Sequence, residues 1–360
     1  MRPAPPAPPR TPHPLAASDP PTVRGDDERS ESAVVLVVLD GVRWQEVVYG
    51  ADRALAEKRG LNPLVWANPR DLMPNLHHFV DTRAVLLGAP GHGPSMRASG
   101  PHFISEPGYL EIFDGRPAPT CHGNDCARPP SMRSFADDVR DGGTPEDVGV
   151  IASWPNIARA SSADPSRFVV SAGRSIIEHE EILRADPVTA GLVDRGSRSY
   201  AWPGEGGYRP DAITARIALR YLATVKPRFL FVGLGDGDEW GHRDDYQSYL
   251  DAVHAEDAFL GDLLATLDTM GARGRHTSVI VTADHGRAWS FRDHGIAYPE
   301  SARVWLVAGG GDVTVHGEAT SLKRHTLSDI APTVRALLGV RGEETSGTEA
   351  MGEIVGRREL

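Results

Sequence analysis

Cysteine is scarce in this chain: two in 360 residues, both in the stretch CHGNDC at Cys121 and Cys126. That excludes a disulfide-rich scaffold, and without a second pair it excludes a four-cysteine zinc ribbon. The two either close a small loop in an oxidising compartment or remain thiols in a reducing one; the residues themselves favour neither. Long apolar runs are missing too. The longest, Ala33–Leu39, has the length of a strand and falls far short of the ~20 residues that span a bilayer. Basic excess is also missing. With 38 Lys+Arg against 49 Asp+Glu, the formal net charge is -11, spread along the chain, which argues against a nucleic acid held by phosphate neutralisation. Residues 1–32 are proline-rich and then charged, without an apolar h-region, so a disordered leader is expected there rather than a signal peptide.

What is present is an alternating pattern. The β-branched run Val34–Val38 ends in Asp40-Gly41, as a buried strand with a polar residue at its carboxyl end would. RDLMPNLHHFVDT reads as a short helix, followed by a small strand over 83–87. HFISEPGYLEIFDG reads as a strand end, then a helix with proline near its start and a glycine stop. Further helices are expected over 132–143, 211–225 and 245–271, and in LSDIAPTVRALLGV. Further strands are expected over 146–154 and 228–236, in HTSVIVTADHG and in ARVWLVAGGG. Strand–helix alternation of this kind predicts an α/β fold: a mostly parallel sheet with helices on both faces. The segment of about 155–208 breaks the rhythm and is expected to form a small cap insertion. This gives a leader (1–32), one catalytic domain (33–342) and a C-terminal tail (343–360).

In open α/β sheets, ligands sit beyond the carboxyl ends of the strands. Asp40 follows the first strand. GDGDEWGH follows the strand at Phe229–Leu234 and carries Asp238 and His242, four apart and therefore on one face if a helix opens there. Asp284 and His285 follow the strand at Val279–Val281, and a second Asp-His-Gly places His294 nine residues on. Any one of these is more simply a helix cap or a satisfied histidine. Together, three carboxylates and three imidazoles suit one or two divalent ions such as Zn2+, with Mn2+ also compatible. Asp236 competes with Asp238 as ligand, and the spacing to His242 favours Asp238.

In this combination and order the motifs resemble the alkaline phosphatase superfamily, in particular its phosphodiesterase and nucleotide pyrophosphatase-like branch. VVLVVLDGVRW resembles the opening strand, LMPNL the next helix and SEPGYLEIFDG the nucleophile segment. DEWGH, TADHG and RDHG resemble the metal-binding segments, and LSDIAPTVRALLGV the closing helix. The resemblance runs from about Ala33 to Val340. It implies two metal ions, one held by Asp238, His242 and His294, the other by Asp40, Asp284 and His285, with Ser105 as nucleophile and bridging ligand. It also implies an asparagine that contacts a phosphoryl oxygen, for which Asn124 is the candidate. The expected activity is hydrolysis of a small phosphate mono- or diester through a phosphoserine on Ser105. Ser105 could instead be only a helix N-cap. Relatives of this kind are often exported, so a periplasmic or extracellular location follows only if the true start lies elsewhere.

Two members of the same superfamily compete. A formylglycine sulfatase needs arginine in its nucleophile motif, and Tyr109 stands there. The cofactor-independent phosphoglycerate mutase branch needs a large inserted domain, and the stretch between Ser105 and Asp238 looks too short for one. A non-catalytic metal-binding homologue, or an α/β protein with capped strand ends and no metal, would also carry part of the pattern.

Overall fold

The computed structural model describes residues 32–355 apart from 92, 127, 314–316, 320, 322 and 344. The expected leader, except Ser32, and the last five residues lie outside this range. The strands are β1 (Ala33–Leu39), β2 (Ala84–Leu87), β3 (Met96–Arg97), β4 (Val148–Ala152), β5 (Val169–Ala172), β6 (Ile176–Glu178), β7 (Phe229–Leu234), β8 (Thr277–Thr282), β9 (Arg303–Val304), β10 (Leu306–Gly310), β11 (Gly317–Glu318) and β12 (His325–Thr326). Nine of them form one sheet in the order β11-β2-β10-β8-β1-β7-β4-β5-β6, and β12-β3-β9 form a small second sheet. In the large sheet the neighbours of β1, and the pairs β7–β4, β4–β5 and β2–β11, run parallel. β10 runs antiparallel to both β2 and β8, and β6 runs antiparallel to β5.

All seven residues of β1 are buried, as are all six of β7 and of β8. Strands covered on both faces read as continuous apolar runs because both sides of the pleat meet helices. One helical layer holds Pro74–Arg83, Asp211–Val225 and Tyr246–Thr269; the other holds Ser105–Asp114, Phe135–Asp141 and Ile330–Leu338. This is the mostly parallel α/β sheet with helices on both faces that the alternation predicts.

Several local expectations change. RDLMPNLHHFVDT forms two helices, Pro69–Leu72 and Pro74–Arg83, because Pro74 brings no N–H and starts the second at its N1 position. The run over 303–310 is divided between two sheets, β9 and β10. Between them Trp305 is fully buried and donates its Nε1–H to the Val42 carbonyl at 2.9 Å. No strand precedes the helix at Ser105; residues 102–104 are loop. The segment 155–208 does not stand apart as a cap, since it places β5 and β6 at the edge of the main sheet. The expected tail docks in part: the helix Gly352–Val355 buries Ile354, and Met351 beside it is buried as well.

Candidate metal centre

β1 lies between β7 and β8 in the middle of the sheet, with Leu39 in register with Leu234 and Val38 with Thr282. Their carboxyl ends therefore open at the same level, side by side. Asp40 leaves β1, and its N–H donates to the Leu234 carbonyl at 2.9 Å. The helix Asp236–His242 begins two residues after β7, and Asp284 and His285 follow β8. Gly41 makes the convergence possible. It adopts φ +63°, and a Cβ there would lie 2.3 Å from Asp238 Oδ1; its N–H donates to Asp284 Oδ1 at 3.1 Å. A side chain would be strained on the backbone and would displace a carboxylate.

The six candidate ligands come together in two adjoining groups. Asp40, Asp284 and His285 offer donor atoms all within 4.8 Å of one another, and so do Asp238, His285 and His294. His242 completes the second region: its Nε2 lies 3.0 Å from Asp238 Oδ2 and 3.0 Å from His294 Nε2. His285 sits at the seam between the groups. Its Nε2 is 3.4 Å from both Asp40 Oδ1 and Asp284 Oδ2, and its ring stacks on that of His294 at 4.0 Å. The spacing of Asp238 and His242 does put both on one helical face. Asp236 points elsewhere, accepting from the Tyr208 hydroxyl at 2.7 Å.

Protonation in this centre suits cations. His285 Nδ1 faces the Gly286 carbonyl and His294 Nδ1 faces the Phe103 carbonyl, both at 2.9 Å. A carbonyl only accepts, so these nitrogens carry the hydrogens and each Nε2 keeps its lone pair. Burial pushes His285 down to about 4 and His294 down to about 3, the latter helped by His285 beside it, which keeps both rings neutral. Burial and then the charge of Asp238 push Asp40 up to about 7, and burial with Asp40 as neighbour holds Asp284 well above the carboxylate range. Asp284 Oδ2 is buried with no hydrogen-bond partner among the described residues. Asp238 goes the other way: burial would raise it, but His242, Arg287 and His294 together hold it well below the usual range. Neutral imidazole lone pairs, protonated or orphaned carboxylates and one paired carboxylate form a donor set that fits divalent metal.

Ser105 is buried at the start of the helix Ser105–Asp114, whose ten residues are all buried. Its Oγ lies 3.3 Å from Asp40 Oδ1 and 3.3 Å from His285 Nε2, and so faces both groups. The N-cap is Ile104 rather than Ser105, and Ser105 occupies the first helical turn without capping it. At Gly108 a Cβ would come 2.6 Å from the Asp284 carbonyl, so glycine lets this helix approach the turn that carries Asp284. Asn124 belongs to the same place. Its Oδ1 accepts from the Glu106 N–H at 3.1 Å, and it lines a cavity of about 420 Å3 together with Asp40, Ser105, Asp238, His242 and Glu205.

Two supporting residues escape the sequence reading. The Tyr109 hydroxyl donates to Asp40 Oδ2 at 3.0 Å, so Tyr109 supports the centre from behind and does not line the cavity. Arg287, fully buried, donates to Asp238 Oδ1. Their only sequence signals are that Tyr109 lies one helical turn after Ser105 and that Arg287 directly follows Asp-His-Gly. Cys121 and Cys126 are bridged, with Cα atoms 5.5 Å apart, which settles a choice that composition leaves open.

The α/β sheet thus gathers carboxylates, imidazoles and one serine beyond its central strands, a donor set able to hold divalent metal. Comparison with known proteins also finds metalloenzymes. Residues 209–341 match the family model described as the metalloenzyme superfamily. The chain is 29% identical over 195 residues to a 2,3-bisphosphoglycerate-independent phosphoglycerate mutase of Haloarcula marismortui, covering 49% of this chain and 36% of that protein. It is 31% identical over 176 residues to a phosphopentomutase of Methylobacterium radiotolerans, covering 48% and 40%. The chain thus spans well under half the length of these curated relatives. Among solved structures, a phosphonate monoester hydrolase of Agrobacterium radiobacter superposes with TM-score 0.58 at 16% identity, covering 91% of this chain and 78% of that one. A putative sulfatase from Bacteroides thetaiotaomicron gives 0.61 at 12% identity, covering 91% and 75%. At such identities these two speak for the fold alone. Residues 209–341 are thus similar to the metalloenzyme superfamily, and the fold is shared with solved sulfatase and phosphonate monoester hydrolase structures. No helix among the described residues is long and apolar enough to cross a membrane.

Proposed function

We propose that this protein is a two-metal hydrolase of small phosphate esters, mono- or diesters, in which Ser105 becomes transiently phosphorylated. The observation that carries the reading is the position of the Ser105 hydroxyl, equidistant from Asp40 and His285, where the two ligand groups meet. Asp238, His242 and His294 would hold one ion, and Asp40, Asp284 and His285 the other, with Ser105 between them. Zn2+ matches the mixed oxygen and nitrogen donors best, and Mn2+ is also compatible. The ions, when bound, supply the positive charge that lowers the cost of ionising Ser105 and of developing charge on the ester oxygens.

The chain's own groups do the rest. Ser105 Oγ forms a bond to phosphorus while the ester P–O bond breaks, and the proton given up by the serine ends on the departing oxygen, which leaves as the alcohol. Water then attacks the phosphorylated serine, restoring the hydroxyl and releasing phosphate from a monoester or a phosphate monoester from a diester. Asn124 offers its amide to a phosphoryl oxygen, and the first-turn amides after Ser105 face the same anion. Tyr109 holds Asp40 Oδ2, which leaves Oδ1 turned toward Ser105. Phosphorus is favoured over sulfur as the reacting centre because Tyr109, which stands where a formylglycine sulfatase carries arginine, is buried and bonded to Asp40.

Metal content by mass spectrometry, measured on wild type and Asp284→Ala beside turnover of p-nitrophenyl phosphate and bis-p-nitrophenyl phosphate, tests the reading. Near two zinc ions per chain, turnover lost in the variant, and phosphate trapped on Ser105 after acid quench are the expected results. A wild-type protein that stays metal-free and inert after zinc is added back would overturn it. Phosphate passed to a sugar acceptor in preference to water would replace hydrolase by mutase.

A further inference from the structure

Asn124 is held at two atoms, its main-chain carbonyl and its side-chain oxygen. The Asn124 main-chain carbonyl accepts from Asn156 Nδ2 at 2.5 Å and from Arg159 Nη2 at 3.1 Å. Arg159 Nε also reaches Glu106 Oε1 at 3.2 Å, so one guanidinium joins this loop to the residue after the nucleophile. The Asn124 side-chain oxygen accepts from the Glu106 N–H. A backbone N–H can only donate, so the atom facing it is Oδ1 and not Nδ2. The side-chain NH2 is left without a described partner, on a residue that lines the cavity beside Ser105 and Asp40. The six-residue loop is closed at both ends by the Cys121–Cys126 bond, and Cys121 is itself buried.

We propose that the Cys121–Cys126 disulfide, with Arg159 and Asn156, is a positioning device for Asn124, holding its NH2 toward the transferred group so that oxyanion stabilisation depends on the disulfide. The inference rests on the phosphoryl-transfer reading and adds a dependence that reading does not contain. A short bridged loop has few conformations, so its donor is preorganised and loses little freedom in the transition state; the opened loop keeps Asn124 in the chain but no longer fixes its direction. Cys121 and Cys126 are thus positioning residues, and the group expected to touch substrate is Asn124.

The test compares wild type, the Cys121→Ser/Cys126→Ser double variant, Asn124→Ala, and the triple variant, all loaded with zinc. Removing a single oxyanion donor commonly costs about 10²–10³-fold in kcat, so Asn124→Ala should fall in or just below that range. The double variant should lose roughly 5- to 50-fold in kcat, with metal content unchanged, tungstate inhibition weakened and KM little altered. In the triple variant, removing the disulfide should cost nothing beyond Asn124→Ala, because the bond acts through that residue. Reducing wild type with a water-soluble phosphine, which takes the bond to two thiols and is itself oxidised to the phosphine oxide, should reproduce the double variant. Hydrogen exchange at the Glu106 amide should speed up when the bond is opened. Wild-type kcat, tungstate affinity and Glu106 protection in the double variant would overturn the inference, as would equal additional losses with and without Asn124. A wild-type protein that hydrolyses no ester would instead overturn the hydrolase reading. Exchange at Glu106 and tungstate binding would then still decide whether the bond holds Asn124.

Discussion

Replacing Asp40 by Asn in protein stripped of metal should stabilise the fold at pH 8, while the same substitution in zinc-loaded protein should weaken metal binding. The first half follows from burial. Asp40 is buried, and its carboxyl is pushed from 3.8 up to about 7, chiefly by desolvation and then by the charge of Asp238. For an acid raised in the folded state, the penalty is absent below 3.8, where both folded and unfolded chains carry the proton. It grows as pH rises and is complete above about 7, where the native state must hold a desolvated anion. The separation between 3.8 and about 7 corresponds to about 4 kcal/mol. Asparagine cannot ionise and still accepts from the Tyr109 hydroxyl through its oxygen, so a gain of about 2–4 kcal/mol is expected at pH 8, and almost none at pH 3.5. The difference between variant and wild type removes the contributions of groups far from Asp40, and carries with it the response of Asp284 and His294, which feel its charge. Urea unfolding of both proteins in chelator across pH 4–8 measures it. A stripped variant that is less stable than wild type at pH 8, or a difference that does not change with pH, would refute the reasoning. With zinc present the sign should reverse, because a metal ion rewards the anion that the empty fold penalises.

Three further outcomes follow from particular contacts. Tyr109→Phe removes the donor to Asp40 Oδ2; it should cost about 1–2 kcal/mol and lower zinc affinity, read by competition with a chromophoric chelator. Arg287→Met leaves Asp238 buried without its guanidinium and should destabilise by about 3–5 kcal/mol, read by thermal unfolding; Arg287→Lys should recover part of that loss. Gly41→Ala places a Cβ on Asp238 Oδ1 at a backbone angle that alanine resists, so metal content should drop even where circular dichroism shows a folded chain.

Much of the candidate centre was legible because its parts are local. A strand that leaves the sheet must end in loop, so Asp40, Asp238, Asp284 and His285 could be read from where apolar runs stop. His242 could be read from a helical spacing of four. Tyr109 and Arg287 were not legible, because their partners are 69 and 49 positions away and an aromatic or an arginine in a sequence is more often packing or surface. The break at Pro74 is local too, since a proline without an N–H favours the first turn of a helix over its interior. The assignment of 155–208 to a cap failed for another reason: β5 and β6 are only four and three residues long. Short strands have little periodicity to read, and β5 is recognised as a strand by its pairing with β4.

Burial on both faces, the ends of the apolar runs and the chemical groups that stand there can be read from neighbours a few residues apart. That β1 lies between β7 and β8 in matching register is visible only in the folded chain. That register turns scattered Asp and His residues into two adjoining groups with His285 at the seam and Ser105 facing both. The physical reason is that pairing and burial act between residues far apart in the chain. The charge state of Asp40, the lone pair of His294 and the direction of the Asn124 amide are set by what packs against them.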